Sequence, residues 1–231
     1  PSPICTNTDH APIQIFKKIA KKEFITKSKA LAQLASYCYP CENDYQIQSS
    51  KIPKSEQVAA FSHFFFMFAN KLIHDNIPAV RSEAMNAIGC AIAHIPKACL
   101  GFLSNDHTSV NVIGWVYSSQ CSQTSEEAKI AYKVWRQLVD LFKESPEELN
   151  GFICQHVEFI LENSSRSANL NSALFGNKHK AGHRNHGDHD EMEERYERDV
   201  LITLKSLIQF IPNCPTASFC KAATNMSNFF S

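Results

Sequence analysis

Apolar side chains recur at intervals of three and four residues along most of this 231-residue chain, and this spacing constrains the fold more than any other feature. The clearest case runs from Glu56 to Ile73, where aromatic residues widen an apolar stripe, as in a helix that is buried on nearly all sides. Glycine is scarce, with seven residues in all, and no stretch alternates with a period of two between hairpin signals. The sequence therefore predicts an all-α fold.

Seven segments carry this helical spacing. The helix that ends near Ile73 and the one that begins near Pro78 are joined so closely that they should be antiparallel neighbours. These segments make about four helix pairs of roughly 40 residues each, a period that fits HEAT or armadillo repeats better than a compact bundle. We expect a single domain, residues 1–231, that forms a short α-solenoid. The predicted helices cover approximately residues 12–21, 26–38, 56–73, 80–95, 128–142, 149–160 and 191–211.

The junction between the third and fourth predicted helices resembles that of a HEAT repeat. Asp75 stands where a carboxylate caps the following helix, and Arg81 stands where a guanidinium reaches neighbouring turns. Val80 and Ala84 are small enough to allow close helix packing. We expect a structural role for these four residues.

A lysine cluster spans the turn between the first two predicted helices, and Glu23 is the one acidic residue within it. Such a cluster can neutralise phosphates or an acidic protein surface, although it is also typical of an ordinary solvated face. No aromatic residues alternate with the lysines, and no glycine-rich phosphate loop is present, so any RNA would be bound through its backbone. The cluster consists of Lys17, Lys18, Lys21, Lys22, Lys27 and Lys29.

Nine cysteines are scattered among apolar residues, as reduced core thiols usually are, and this favours a cytosolic or nuclear protein. Cys38 and Cys41 have the spacing of a metal or redox pair. A second pair at the usual distance is missing, so we interpret them as a coincidence at a helix end. Trp115 and Trp135 lie in apolar surroundings and are expected to be packing residues.

Residues 163–190 are rich in Ser, Asn, Gly, His and Lys and should form a mobile loop. Four histidines in this loop have spacings that could bind zinc or nickel, but no rigid surroundings to orient them are apparent. We therefore predict neither a metal site nor a cofactor. The histidines are His179, His183, His186 and His189.

Several classes of protein are disfavoured by what the sequence lacks. It contains no GxSxG, P-loop or HExxH motif, so we do not expect an enzyme. The 23 basic and 23 acidic side chains balance, and no signal peptide or membrane-spanning stretch is present. Because the chain begins at Pro1 without a methionine, we expect it to be a piece of a longer protein.

The segment from Ile15 to Leu31, IFKKIAKKEFITKSKAL, resembles the opening motif of listerin, the ribosome-associated E3 ubiquitin ligase. In that motif a lysine-rich helix end is followed by an acidic residue and then by the segment Thr-Lys-x-Lys-Ala-Leu. The likeness continues through the segments at Val80 and Trp115 and through residues 193–198. One departure lies after the tryptophan, where residues 121–124 replace the family's Asp followed by Val. This departure leaves the local helix cap in doubt. The residues that fill the opening motif are Lys21, Lys22, Glu23, Thr26, Lys27, Lys29, Ala30 and Leu31.

The resemblance implies a cytoplasmic, monomeric, non-catalytic docking module. It would bind the large ribosomal subunit that carries a stalled peptidyl-tRNA, together with the companion factor that recognises the tRNA, while a RING elsewhere in the parent recruits the E2. It implies that the lysine cluster and Thr26 contact the ribosome or a partner. Thr26 could also cap the second helix.

Two other functions remain open at this point. One is a HEAT or armadillo adaptor for peptides or membrane-traffic proteins, unrelated to ribosomes, that binds through its concave surface. The other, which the sequence favours least, is a metal-dependent enzyme that uses the histidine loop.

Overall fold

The computed structural model describes residues 11–38, 53–104 and 107–164, together with residues 198, 201, 202, 205 and 206. All regular structure in these residues is helical, which confirms the all-α prediction. Six of the predicted helices lie in the described part, within a few residues of their expected bounds. The helices are α1 (Ala11–Ile19), α2 (Phe24–Cys38), α3 (Lys54–Phe64, continued by a π-helical turn at Phe65–Ala69 and by Asn70–Leu72), α4 (Pro78–His94), α5 (Pro96–Leu103), α6 (His107–Ser119), α7 (Ser125–Leu141) and α8 (Pro146–Ser164).

The prediction that α3 is buried on nearly all sides is wrong in its second half. Phe61 and Phe65 are buried, but Phe66 is 48% exposed and Met67 is 65% exposed. With about 3.6 residues per turn, the two residues that follow Phe65 turn away from its buried side, whereas Ala69, at the end of the π-helical turn, lies in the core. An apolar run of uniform helical period therefore overestimates how much of this helix is covered.

Helices α5 and α6 lie in a part of the chain where the sequence suggested no helix. Pro96 opens α5 at its first position, where a missing N–H does no harm. In α6, Val112, Ile113 and Trp115 are buried, so tertiary packing holds a helix whose β-branched and serine-rich composition favours helices only weakly. Trp115 is a packing residue, as predicted.

The helices form a connected apolar core in which α4 is central. Its most extensive contacts are with α2 on one side and α7 on the other, and not with α3. Helix α1 packs on α2, and α6 packs on both α7 and α8. In the described part of the chain, no helix has the length and apolar character that crossing a membrane requires.

Cys99 lies wholly inside this core, and burial raises the pKa of its thiol to about 12. Because the thiolate is the reactive form, we expect a maleimide to leave Cys99 unmodified in the native protein at neutral pH. Mass spectrometry of peptides after timed labelling measures this, with the partly buried Cys154 as the internal comparison. Labelling of Cys99 as fast in native protein as in denatured protein would contradict the prediction.

Candidate partner-binding surface

The lysine cluster divides into two groups in the structure. Lys27 is only 12% exposed, and its Nζ donates to Asp75 Oδ2 at 2.7 Å. The other five side chains are exposed to solvent around the turn that joins α1 to α2. These exposed lysines are Lys17, Lys18, Lys21, Lys22 and Lys29.

The amphipathic character of α1 and α2 places the exposed lysines on the outside. Ile15 and Ile19 bury one face of α1, so the adjacent lysines must point away from the core. In α2, Ala30, Leu31 and Leu34 are buried in the same way. The basic surface is therefore a direct consequence of how these two helices pack.

Thr26 lies inside the first turn of α2, which begins at Phe24. Its hydroxyl donates to Glu23 Oε2 at 2.6 Å. Thr26 thus holds the one carboxylate of the lysine-rich stretch at the start of the helix. Thr26 therefore does not cap α2, which was the other role that the sequence suggested for it.

Asp75 fixes the connection between α3 and α4. Its Oδ1 accepts the backbone N–H of Ile77 at 3.0 Å, while its Oδ2 accepts from Lys27. Ile77 is the residue before α4, so Asp75 stabilises the turn that leads into the helix and does not cap its first free N–H groups. The carboxylate therefore acts one position before the predicted cap, at the turn itself.

Arg81 reaches from α4 to two different parts of the chain. Its Nη1 donates to the carbonyl oxygens of Asp75 at 2.7 Å and Asn76 at 3.1 Å. Its Nε and Nη2 form a bidentate pair with the Glu127 carboxylate in α7 at 2.6 and 2.7 Å. The Arg81 and Glu127 side chains are 2% and 0% exposed, so this ion pair is buried. Val80 and Ala84 beside it are buried, as predicted.

Ser122 completes the arrangement in the connection between α6 and α7. Its Oγ donates to Glu127 Oε2 at 2.8 Å and accepts the Thr124 N–H at 3.3 Å. Asp75 and Ser122 thus each accept the N–H two residues ahead, just before α4 and α7 respectively. The departure from the listerin pattern at residues 121–124 is accommodated, because a serine hydroxyl holds the turn that precedes α7. We call the connected set Lys27, Asp75, Arg81, Glu127 and Ser122 the polar ladder.

Two candidate metal sites of the sequence cannot be placed. The histidine loop at residues 163–190 lies outside the described residues except at its start. Cys41, which would pair with Cys38 in the other candidate site, also lies outside them. Among residues whose placement is described, no group of three or more His, Cys, Asp or Glu side chains could hold a metal ion.

The sequence matches one family model over residues 9–231, which is nearly the whole chain. That model is described as the N-terminal domain of the E3 ubiquitin-protein ligase listerin. No curated protein and no solved structure matches the chain. The match extends over the exposed lysines, the polar ladder and the helices α1 to α8 alike. The chain belongs to the listerin N-terminal domain family.

Proposed function

We propose that this chain is a non-catalytic docking module of a listerin-like E3 ubiquitin ligase. It binds the large ribosomal subunit and its companion factor during the quality control of stalled nascent chains in the cytoplasm. The observation that carries the proposal is the group of five exposed lysines at the turn between α1 and α2, within a chain of the listerin family. Ubiquitin transfer belongs to a RING elsewhere in the ligase.

The proposed architecture is a short HEAT or armadillo-like solenoid. Its support is the order of contacts, in which α2, α4 and α7 form one row and α6 packs on α8 in another. The polar ladder runs along the first row, with Asp75 and Ser122 at corresponding places ahead of α4 and α7. A module of this kind presents its first pair of helices at one end of a stack that the ladder holds together.

The exposed lysines suit the phosphate backbone of ribosomal RNA. Five ammonium groups face solvent within 13 residues, and the nearby Glu23 is bound by Thr26. Lysine acts as a point charge, so contact with phosphates gives affinity and position without reading base sequence. Lys27 contributes to RNA binding only indirectly, because its ammonium group forms an ion pair with the Asp75 carboxylate.

We expect reversal of the five exposed lysines to glutamate to weaken binding to isolated large ribosomal subunits strongly. The physical reason is that each lost phosphate contact removes a counterion-release contribution, so the salt dependence of the remaining binding should flatten by up to about four units of log–log slope. The measurement is co-sedimentation of the purified chain with subunits across a salt series. Lys27 stays unchanged, so that the polar ladder is kept intact.

The matched control reverses five exposed lysines in other parts of the chain, so both variants carry the same net charge. It should bind within about twofold of the unaltered chain, since rim charges distant from a contact act only through screened attraction. Equal loss in both variants, or no binding of the unaltered chain at low salt, would contradict docking through this surface. The control residues are Lys54, Lys97, Lys129, Lys133 and Lys143.

A further inference from the structure

Two large apolar side chains are exposed in the first turn of α2. Phe24 is 46% exposed and Ile25 is 47% exposed, although other apolar residues of the same helix are buried. They belong to residues 20–25, a stretch in which every side chain is exposed. Neighbouring apolar side chains that stay in water beside a binding surface indicate a place where a ligand covers them. We call Phe24 and Ile25 the apolar pair.

The apolar pair lies among the exposed lysines. Lys21 and Lys22 come just before it, in the turn that joins α1 to α2. Lys29 lies four residues beyond Ile25, so these two side chains share one face of α2. Apolar and basic groups are therefore presented together at the beginning of α2.

The sequence around the apolar pair is strongly basic. Glu23 is the one acidic residue in residues 17–29, which contain the five exposed lysines. The Thr26 hydroxyl donates to its Oε2 at 2.6 Å. Because Lys27 is paired with Asp75, the exposed positive charge comes from the other five lysines. A ligand that fits this surface must be anionic, and it must also present an apolar or planar group that covers the apolar pair.

An unpaired nucleotide of RNA has both properties. Its phosphates attract lysines, and its base presents a planar face that stacks on an aromatic ring. In a duplex the bases are stacked on each other, so a duplex offers this surface mainly its phosphates. The ring of Phe24 therefore distinguishes unpaired RNA from duplex RNA, which lysines alone would not do.

An anionic lipid surface fits the apolar pair less well. Phe24 and Ile25 are each about half covered by the protein, so their insertion would bury little apolar surface among lipid chains. Stable attachment to lipid needs a larger apolar anchor in addition to basic charge. Stacking on a base, in contrast, needs only one exposed face of a ring. The apolar pair thus favours a base over a lipid chain.

We propose that the apolar pair makes the exposed lysine surface selective for unpaired RNA: Phe24 stacks on a base, Ile25 covers the edge of that stack, and the lysines bind the adjoining phosphates. This selectivity rests on the proposed function, because it specifies the form of ribosomal RNA that the docking surface binds. Stacking tolerates every base, so single strands are distinguished from duplexes without a base sequence being read. The sequence pattern predicted contact with the RNA backbone alone, because Phe24 could not be distinguished there from the buried apolar residues of α2.

Fluorescence anisotropy with the full 231-residue chain tests the proposal. The probes are a fluorescein-labelled oligouridine of about 12 nucleotides and a labelled RNA duplex of the same length, at one fixed salt concentration. Phe24→Gln removes the ring, and Phe24→Tyr keeps it. Val139→Gln, at an exposed apolar residue of α7, is the matched control. Co-sedimentation with large ribosomal subunits is measured for the same variants.

We expect Phe24→Gln to bind the single strand at least about fivefold more weakly, and Phe24→Tyr and Val139→Gln to bind it within about twofold of the unaltered chain. Binding of the duplex should change by no more than about twofold in any of the three variants, because phosphate contacts do not involve the ring. Co-sedimentation of Phe24→Gln with large subunits should weaken by a factor similar to that for the single strand.

Any one of three results would overturn the proposal: no binding of the single strand, single-strand binding that Phe24→Gln leaves unchanged, or an equal loss for the duplex. If reversal of the five lysines weakens binding to large subunits while Phe24→Gln does not, selection of unpaired RNA is wrong and ribosome docking stands. No binding of the unaltered chain to subunits would contradict ribosome docking, and with it the ribosomal ligand of the apolar pair. If Phe24→Gln weakens binding to phosphatidylserine vesicles but not to the single strand, the ligand is a lipid surface and not RNA.

Discussion

Loss of the Glu127 carboxylate in the variant Glu127→Ala is expected to lower the free energy of unfolding by about 3 to 5 kcal/mol. Arg81 would then remain charged and 2% exposed, with its Nε and Nη2 donors deprived of their acceptor. Ser122 would lose its acceptor as well. Urea denaturation followed by far-ultraviolet circular dichroism gives the change directly. A loss of this size is a large fraction of the stability of an ordinary domain.

The matched control is Glu144→Ala, which removes a carboxylate from an ion pair with Lys143 that is exposed on both sides. We expect little change in that variant, because surface pairs are screened by solvent. The double variant Arg81→Met, Glu127→Leu should recover part of the loss, since no charge stays buried, although the carbonyls of Asp75 and Asn76 lose a donor. Equal stability of Glu127→Ala and Glu144→Ala would show that the buried pair does not stabilise the fold.

A methyl group at Gly114 is expected to destabilise the protein by about 3 kcal/mol. A Cβ atom at this position would overlap the Cβ and ring of His156, which is fully buried in α8. The clash involves the base of a side chain, so α6 and α8 must move apart to relieve it. Thermal or urea denaturation of Gly114→Ala measures the loss of free energy.

Gly101→Ala and Gly151→Ala provide the comparison, because a Cβ at either position meets nothing within 4 Å. Both glycines lie in helices, so each change should stabilise the protein by about 0.5 to 1 kcal/mol through helix propensity. Adding His156→Ala to Gly114→Ala should cost less than the sum of the two single changes, because the smaller side chain removes the overlap. Additive losses would mean that His156 is not the source of the strain.

The features that could be predicted from the sequence are those that local spacing determines. The helical period identified α3 and α4, and the motif at Asp75 and Arg81 identified a structural junction before any contact was known. The lysine cluster could also be located, since its six members lie within 13 consecutive residues. That Lys27 differs from its neighbours could not be predicted, because its partner Asp75 is 48 residues away.

Other features depend on tertiary contacts that sequence spacing does not encode. Glu127 looks like an ordinary acidic residue in the first turn of α7, and only its contact with Arg81, 46 residues earlier, reveals its role. Gly114 could not be distinguished from other helical glycines until His156 was placed against it. The uninterrupted apolar run in α3 likewise gave no sign that the Phe66 side chain is exposed.

The polar ladder also limits how this part of the chain can change over evolutionary time. Its members extend from Lys27 to Glu127, and each satisfies a group belonging to another member or to the turn beside it. A substitution at one member leaves the charge or the hydrogen-bond donor of the next member without its partner. Single substitutions in the polar ladder should therefore be selected against. Neutral change at these positions must therefore proceed by paired or compensated substitutions. The order in which such substitutions accumulate would show which members of the polar ladder depend on each other most strongly for stability.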